Sequence, residues 1–574
     1  MPEKGGREYG ERRVALPDEA ALQVDLDAIK DPGVRHCIQA LLNIIERQAT
    51  EIRALKEENA RLRDENARLK GEQGRPKTPG TSAKGGAGTG TNCSSEKERR
   101  QPKEWKKEGK VIRVDREEKC ALDRNSLPDD VEFKGYEDVV VQDIVFKTDN
   151  VLFRREKYYS RSREETYLAP LPPGYTCGEF GPGLRAYVIT QYWVANVSEP
   201  KILEVLRSRG IIVSAGQLSN ILTHQTEKFH EEKQEVHRAG LQSAPWQQAD
   251  DTGTRVDGVT RYCHVIGNAF YTIFATLDGK SRLHILDLLR GGAPRVFLFN
   301  DGAQALAKEF GVSDAVLAHL WPLGMQRLAM DEQTFTKAVR NCVPEIGKRQ
   351  LAWVLQAAAI AEYHSQETFP IVRALLSDDA PQYGGLVDEH GLCWIHDGRL
   401  YKKLTPVVPR FQILVDDFLD KYWDFYRDLR AYKSRPTKWK AKKLERRFDR
   451  LFGTVTAYDE LNGRIAKTKA KKRELLLALE HPELPLHNND SELAARQRVR
   501  KRDVSFGPRT DNGARNWDTF QSLIATAKKL GVNVYEYIQD RVRGAGLVPR
   551  LAALIKERSK AEGTGSWTLP LPAH

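Results

Sequence analysis

The sequence predicts an α/β protein built in parts: a mixed sheet flanked by helices and interrupted by helical insertions, preceded by a coiled coil, a small β-rich domain and a helix-turn-helix-like helical domain. Three observations predict it. A heptad repeat persists over five heptads near the start. Short β-prone pieces separated by glycine turns fill Trp246 to Asn300. An apolar run, Ile371 to Leu376, ends in an Asp-Asp pair, with long stretches of helical periodicity before and after it.

At 574 residues the chain is long for one core, so two to four domains with helical extensions are expected. Lys and Arg number 91 against 79 Asp and Glu, a net +12. Such a surplus points to nucleic acid only where it clusters. Seven cysteines stand singly at 37, 93, 120, 177, 263, 342 and 393. Without C-x-x-C spacing they support neither a disulfide framework nor a zinc site. Met1 to Val14 is polar and no apolar run reaches membrane-spanning length, so a soluble, cytoplasmic protein with no membrane partner is expected.

Residues 1–72 carry the coiled coil, from about 38 to 72. Ile38, Ile45, Ile52, Asn59 and Asn66 fall at position a, and Leu41, Gln48, Leu55, Leu62 and Leu69 at d. In a parallel dimer Glu51, Glu58 and Glu65 then face Lys56, Arg63 and Lys70 of the second helix, all opposite in sign. The two seam asparagines favour an in-register pair. A homodimer or higher oligomer is the expectation, and an amphipathic helix packed on its own protein the alternative. Residues 73–103, rich in Gly, Ser, Pro and Lys, form a flexible basic linker. The β-rich domain covers 104–176, where EDVVVQDIVF and VLFRREKYYSR alternate in polarity.

The helical domain, 177–238, shows three patterns: LRAYVITQYWVAN, EPKILEVLRSRG and SAGQLSNILTHQTEKFHEE, the last capped by Ser214. A helix ending at Gly210, a short apolar turn and a Ser-capped helix match a helix-turn-helix, with Gln217 and Asn220 set for DNA contact. Ordinary three-helix packing gives the same pattern.

The sheet region divides into 239–302, 371–409 and 484–543, separated by helical insertions at 303–370 and 410–483 and followed by a tail at 544–574. In the first part QQADDTGTRVDG, TRYCHVIGNA, FYTIFATLDG and SRLHILDLLRG read as a strand meander. Asp250 and Asp251 inside its first piece are costly in a core strand, and unpaired carboxylates there ask for a cation such as Mg²⁺. In the second part Asp378 and Asp379 follow the apolar run, and His396, Arg399, Lys402 and Lys403 follow a second one at helical spacing, suited to phosphate. In the third part Glu492 stands at a helix start, where Asn489-x-x-Glu492 could be a capping box. Arg496, Arg498, Arg500, Lys501 and Arg502 crowd behind it, the composition expected where metal meets DNA backbone.

Taken in order, ADDTGTRVDG, SDDAPQY with LCWIHDGRLYKKL, and LPLHNNDSELAARQRVRKRDVSFGPRT resemble bacterial insertion-sequence transposases of the RNase H-like DDE superfamily, nearest to the insertion sequence sixty-six group. The resemblance spans about residues 175–541. It implies an RNase H-like core with Asp250, Asp378 and Glu492 as catalytic, metal-holding residues and Asp251 and Asp379 as alternates. It also implies double-stranded DNA as partner (transposon ends and target), accessory proteins of the same element, and nucleoid association when bound. Two Mg²⁺ ions, with Mn²⁺ able to substitute, would serve strand cleavage and transfer without a covalent protein–DNA intermediate. Where the group carries cysteine pairs for zinc, this chain has only Cys120, so no zinc is expected. An RNase H-like nuclease without strand transfer and a coiled-coil DNA-binding regulator without catalysis are the competing readings. Asp301, after VFLF, is a further aspartate beyond an apolar run.

Overall fold

The computed structural model describes residues 28–69, 114–122, 135–144, 147–175, 180–326 and 328–562. The expected linker at 73–103 and the side chain of Leu69 lie outside the described residues. The chain divides into two compact units: Ser95–Gln225 with Ile538–Gly546 form the smaller, and the remainder the larger.

Helix α1 (Pro32–Leu69) belongs to the larger unit and has two distinct faces. Leu42, Asn43, Glu46 and Ala49, at i, i+1, i+4 and i+7, are buried. Glu46 accepts the backbone N–H of Val408 at 2.6 Å, and Asn43 accepts that of Asp459 at 3.0 Å. Ile38 and Ile45 pack against the same core. The seam predicted for a second helix is therefore partly occupied at its start: Ile45 is turned to its own protein because the alternative, intramolecular face also runs through this stretch. Leu41, Ile52, Leu55 and Leu62 remain exposed.

In the smaller unit β1 (Lys157–Ser160) and β2 (Glu165–Leu168) form an antiparallel hairpin, Tyr158 opposite Tyr167. Among the described residues of 104–176 this hairpin is the only sheet. Residues 135–144 form no strand, and Val139, Val140, Val141 and Ile144 are exposed. Alternation stabilises a strand only when a partner strand and a core face receive it. Helices α2 (Pro182–Trp193), α3 (Glu199–Ser208) and α4 (Ala215–Thr223) follow. Ser214 accepts the Gln217 N–H at 3.1 Å while the Gln217 amide oxygen accepts the Ser214 N–H at 2.9 Å. Gln217 is thereby engaged in a capping box, whereas Asn220 is exposed. At Gln225 the backbone turns left-handed (φ 57°), which splits the third predicted helix into α4 and α5 (Glu227–Ser243).

The larger unit is mixed α/β. Strands β3 (Trp246–Val256), β4 (Val259–Gly267) and β5 (Thr272–Leu277) form an antiparallel meander. The fourth piece expected in it is instead α6 (Arg282–Leu289), because Ile285, Leu286, Leu288 and Leu289 bury at helical spacing behind a Ser281 start. The insertion comprises α7 (Asp301–Glu309), α8 (Asp314–Gln326), α9 (Glu332–Cys342) and α10 (Lys348–Ser365). Asp301 is in the first turn of α7, capped by Asn300, and not at a sheet edge. Strands β6 (Ala374–Ser377) and β7 (Glu389–Leu392) then join in parallel, giving the order β5-β4-β3-β6-β7.

Helix α11 (Trp394–Lys402) leads into an aromatic bundle of α12 (Pro409–Ser434), α13 (Lys438–Leu451), α14 (Asp459–Ala470) and α15 (Lys472–Leu475). Trp394, Tyr401, Tyr422, Phe425, Phe448 and Phe452 fill its centre. Gly398 lets α11 approach α12, since a Cβ there would fall 2.7 Å from the Trp423 ring. Helices α16 (Asn489–Ser505) and α17 (Asp511–Lys529) return to the sheet, and α18 (Val534–Arg543) and α19 (Leu551–Ala561) follow.

Helix α17 closes the β5 edge by a ladder of side chains. The outward N–H groups of Thr276, Phe274 and Thr272 donate to Asp518 (2.7 Å), Ser522 (2.9 Å) and Thr526 (3.1 Å). Two strand residues advance about 6.6 Å and four helix residues about 6 Å, so the two periodicities stay in step. An edge that would otherwise invite another strand is satisfied internally. Thr526→Val keeps the shape but leaves the Thr272 N–H without its acceptor. The expected cost is about 1–3 kcal/mol, read as a lower Tm, with faster hydrogen exchange at the Thr272 amide. Unchanged exchange there would refute the role given to this ladder.

Candidate functional site

The meander and the crossover meet at β3, which pairs antiparallel with β4 on one side and parallel with β6 on the other. Gln248 lies opposite Leu376 in the parallel pair. Asp250 and Asp378 each stand two residues further on, so adjacent strands deliver them to the same end and the same face of the sheet. Their neighbours diverge. Asp251 accepts from Gln382 at 2.8 Å and from the Tyr383 hydroxyl at 3.4 Å. Asp379 is exposed and pairs with Lys471 at 3.0 Å.

Helix α16 supplies the third carboxylate. The buried Asn488 just before it donates its amide to the Ala249 carbonyl at 2.7 Å, and its backbone N–H points to the Cys393 sulfur at 3.3 Å. The helix thus begins against β3 one residue from Asp250, and Glu492 falls one turn in. No side chain caps α16, so the Glu492 carboxylate does not serve a capping box. It is 7 % exposed and accepts Arg399 Nη1 at 3.1 Å on both oxygens and Arg496 Nη2 at 3.1 Å, with His396 Nδ1 at 3.4 Å.

The two aspartates have no such compensation: among the described residues neither Asp250 nor Asp378 forms an ion pair with Lys or Arg. Burial pushes the Asp250 carboxyl up to about 7; the Asp251 N–H opposes this, while Asp378, Glu492 and Asp251 reinforce it. Asp378 is also raised, by burial first, with the nearby His396 opposing. A half-buried pair of hard oxygen donors short of positive charge is the donor set that a divalent cation such as Mg²⁺ or Mn²⁺ takes. Cys393, His396 and Glu492 also bring ligand atoms within 4.8 Å of one another. Burial raises the Cys393 thiol to about 11, however, and its sulfur receives the Asn488 N–H, which marks it as a joint between α11 and α16.

The basic residues sort differently from their order in the sequence. Lys402, Lys403, Arg496 and Arg500 are exposed, and Arg502 is partly buried, donating to the Gly253 carbonyl at 2.7 Å. Arg498 and Lys501, expected at the DNA backbone, are buried at 1 % and 0 % exposure. They continue the packed face of Ser491, Ala494 and Ala495 at helical spacing. Arg498 is held by Asp518 (3.1 Å), Gln521 (2.8 Å) and Thr276 (2.7 Å) under the Trp517 ring. His396 and Arg399 are likewise turned inward, to Glu492. Asn488 and Cys393, which position Glu492, escaped the sequence reading. Their signal was their place inside motifs already singled out, LHNND and LCWIH.

The Asp250 shift has a sign that can be tested without any function. A carboxyl raised from 3.8 to about 7 holds a proton in the folded chain that the unfolded chain has lost. Metal-free protein therefore loses stability as pH rises through about 4 to 7, on the order of 2–4 kcal/mol from this group. Urea unfolding in a chelator should show that fall for the wild type and a flatter profile for Asp250→Asn. Parallel profiles for the two proteins would contradict it.

Two comparisons bear on this arrangement. The family model described as "Transposase IS66 family" matches residues 178–319, a stretch that includes α2 through α7 and Asp250. An uncharacterized protein, y4jO, of Sinorhizobium fredii (strain NBRC 101917 / NGR234) is 35 % identical over 323 residues, which are 56 % of this chain and 99 % of that protein. Among the described residues no helix is long and apolar enough to cross a membrane. The chain, with its carboxylates gathered at the end of a mixed sheet, belongs to the IS66 transposase family.

Proposed function

We propose that this chain cuts DNA at the ends of an insertion sequence and joins the freed strands to target DNA, using Asp250, Asp378 and Glu492 on an RNase H-like core. The observation that carries the reading is the parallel pairing of β3 with β6, which brings two uncompensated aspartates together beside the buried Glu492. The strand order, three antiparallel strands followed by two parallel ones, supports the RNase H-like assignment. Divalent ions held there, two Mg²⁺ or Mn²⁺, would polarise the scissile phosphate and favour deprotonation of the attacking water or 3′-hydroxyl.

The chain's own residues do the rest. Asp250 and Asp378 present hard oxygens from two rigid strands, so their spacing does not depend on loop motion. Arg399 and Arg496 fix Glu492 in one orientation by charge-assisted bonds. Lys402, Lys403, Arg496 and Arg500 offer exposed cations for the phosphate backbone, and the helix-turn-helix-like α3 and α4, with Asn220 exposed, suit recognition of the element's ends. The free stripe of α1, Leu41, Ile52, Leu55 and Leu62 with Asn59 and Asn66, suits a parallel homodimer.

An end-labelled duplex carrying the terminal repeat, incubated with Mg²⁺, should yield a nick with a 3′-hydroxyl and then a product joined to plasmid DNA. Asp250→Asn, Asp378→Asn and Glu492→Gln should each lower the nicking rate by about three orders of magnitude or more. Arg399→Ala removes the guanidinium whose Nη1 holds both Glu492 oxygens, and should cost about tenfold to a hundredfold. Binding of the duplex without any nick in Mg²⁺ or Mn²⁺ would sink the reading; nicking without a joined product would reduce it to a nuclease. For the assembly, Leu55→Glu with Leu62→Glu should turn a dimer into a monomer in sedimentation. A wild-type chain that sediments as a monomer at micromolar concentration would remove the coiled-coil dimer.

A further inference from the structure

Beyond the carboxylates, α16 ends in a feature that packing does not explain. Phe506 terminates the helix in the left-handed region, φ 59°, with its N–H returned to the Arg502 carbonyl at 2.7 Å. That conformation costs a residue with a Cβ about 1 kcal/mol or more, and glycine or asparagine usually takes it. Gly507 follows immediately, also at positive φ (85°), yet the aromatic residue occupies the helix end. Its ring gains nothing from burial, being 89 % exposed.

The turn that displays this ring is fixed rather than loose. Arg502 donates to the Gly253 carbonyl at 2.7 Å, and the Asp257 N–H reaches the Pro508 carbonyl at 3.4 Å, so the turn is tied to the β3–β4 hairpin at two points. The surface leading to it is basic. Exposed positions of α16 after Glu492 carry Arg496 and Arg500, and Arg255 and Arg509 are exposed at the far end, so these four cations outnumber the exposed Asp503 and Asp257. A ring without a polar atom, carried on a tethered turn at the end of a stripe of cations, fits a polyanion whose interior is aromatic. Duplex DNA is that polymer, and phenylalanine is among the wedges that enter between its base steps.

Resting on the DNA-cleaving reading above, we infer that Phe506 is a positioning residue that wedges into the bound duplex and unstacks one base step. It stands fourteen positions beyond Glu492, about 21 Å of helical rise. At 3.4 Å per base pair this sets the wedge roughly six base pairs from the scissile phosphate. The insertion would fix the register of the duplex, so that the phosphate presented to Asp250 and Asp378 is the same one at each encounter.

The test uses the full chain and a terminal-repeat duplex with 2-aminopurine placed singly at positions four to eight base pairs from the nick. Wild type should raise the fluorescence severalfold at one of these positions. Phe506→Ala and Phe506→Gly should abolish that rise, weaken binding about tenfold and scatter the nick over neighbouring phosphates, with kcat at saturating DNA little changed. Phe506→Trp should restore the signal and the single nick. Phe506→Gly relieves the backbone strain, so it should melt no lower than wild type, which separates lost wedging from lost folding. The inference fails if wild type nicks DNA and Phe506→Ala gives the same affinity, fluorescence and nick position. If wild type neither binds nor nicks DNA, both this inference and the reading beneath it fall.

Discussion

The parallel contact between β3 and β6 is the constraint on which the site depends. It is short, three residue pairs, and it joins segments separated by the whole of α6 to α10. Antiparallel strands can be joined by a turn, but a parallel partner must return by a long crossover. That requirement makes room for a helical insertion without disturbing the sheet. Once the pair is formed, the register leaves no freedom: two aspartates two residues beyond it must lie side by side. The same β3 receives α16 through Asn488, so one strand orders three carboxylates from distant parts of the chain.

The charges around these carboxylates follow two opposite policies. Glu492 is surrounded by cations and its orientation is fixed. Asp250 is desolvated with like charges nearby and is held as a poor carboxylate until something positive arrives. A cation entering beside Asp250 and Asp378 relieves repulsion, and so gains more than it would at a solvated pair. The Arg399 Nη1 contact to both oxygens also fixes where Glu492 stands beside them. Farther along α16, Arg498 is anchored to Asp518 inside the core, so the helix carrying Glu492 is braced at both ends of its buried face.

Much of this was legible in the sequence because periodicity and punctuation are local. The heptads of α1, the glycine-punctuated strands β3 to β5 and the apolar run of β6 can be read residue by residue. Side-chain direction was harder. Arg496 and Arg498 are two positions apart and look equivalent in a basic run, yet one is exposed and the other buried. The clue was the small residues Ser491, Ala494 and Ala495, which mark the packed face and place Arg498 and Lys501 upon it. The α6 segment misread as a strand because a short apolar run fits both periods, and only its Ser281 start favours the helix. The inner face of α1 was hidden by the stronger heptad signal, although Leu42, Glu46 and Ala49 repeat at helical spacing beside it. Phe506 carried no periodic signal, since its distinction is a backbone angle.

The crossover between Asp250 and Asp378, and the bundle before Glu492, also govern when the site can exist. The first and last of its carboxylates are 242 positions apart, by subtraction of their numbers. Contacts so distant in the chain close late, after the loop entropy between them has been met by local structure. During synthesis the sheet hairpin and each helical insertion can form as they emerge, but no set of three carboxylates is complete until α16 has left the ribosome and docked on β3. A nascent or truncated chain is therefore folded in part long before it holds the whole carboxylate set. Chain order itself delays the appearance of the assembled site until α16 has been made.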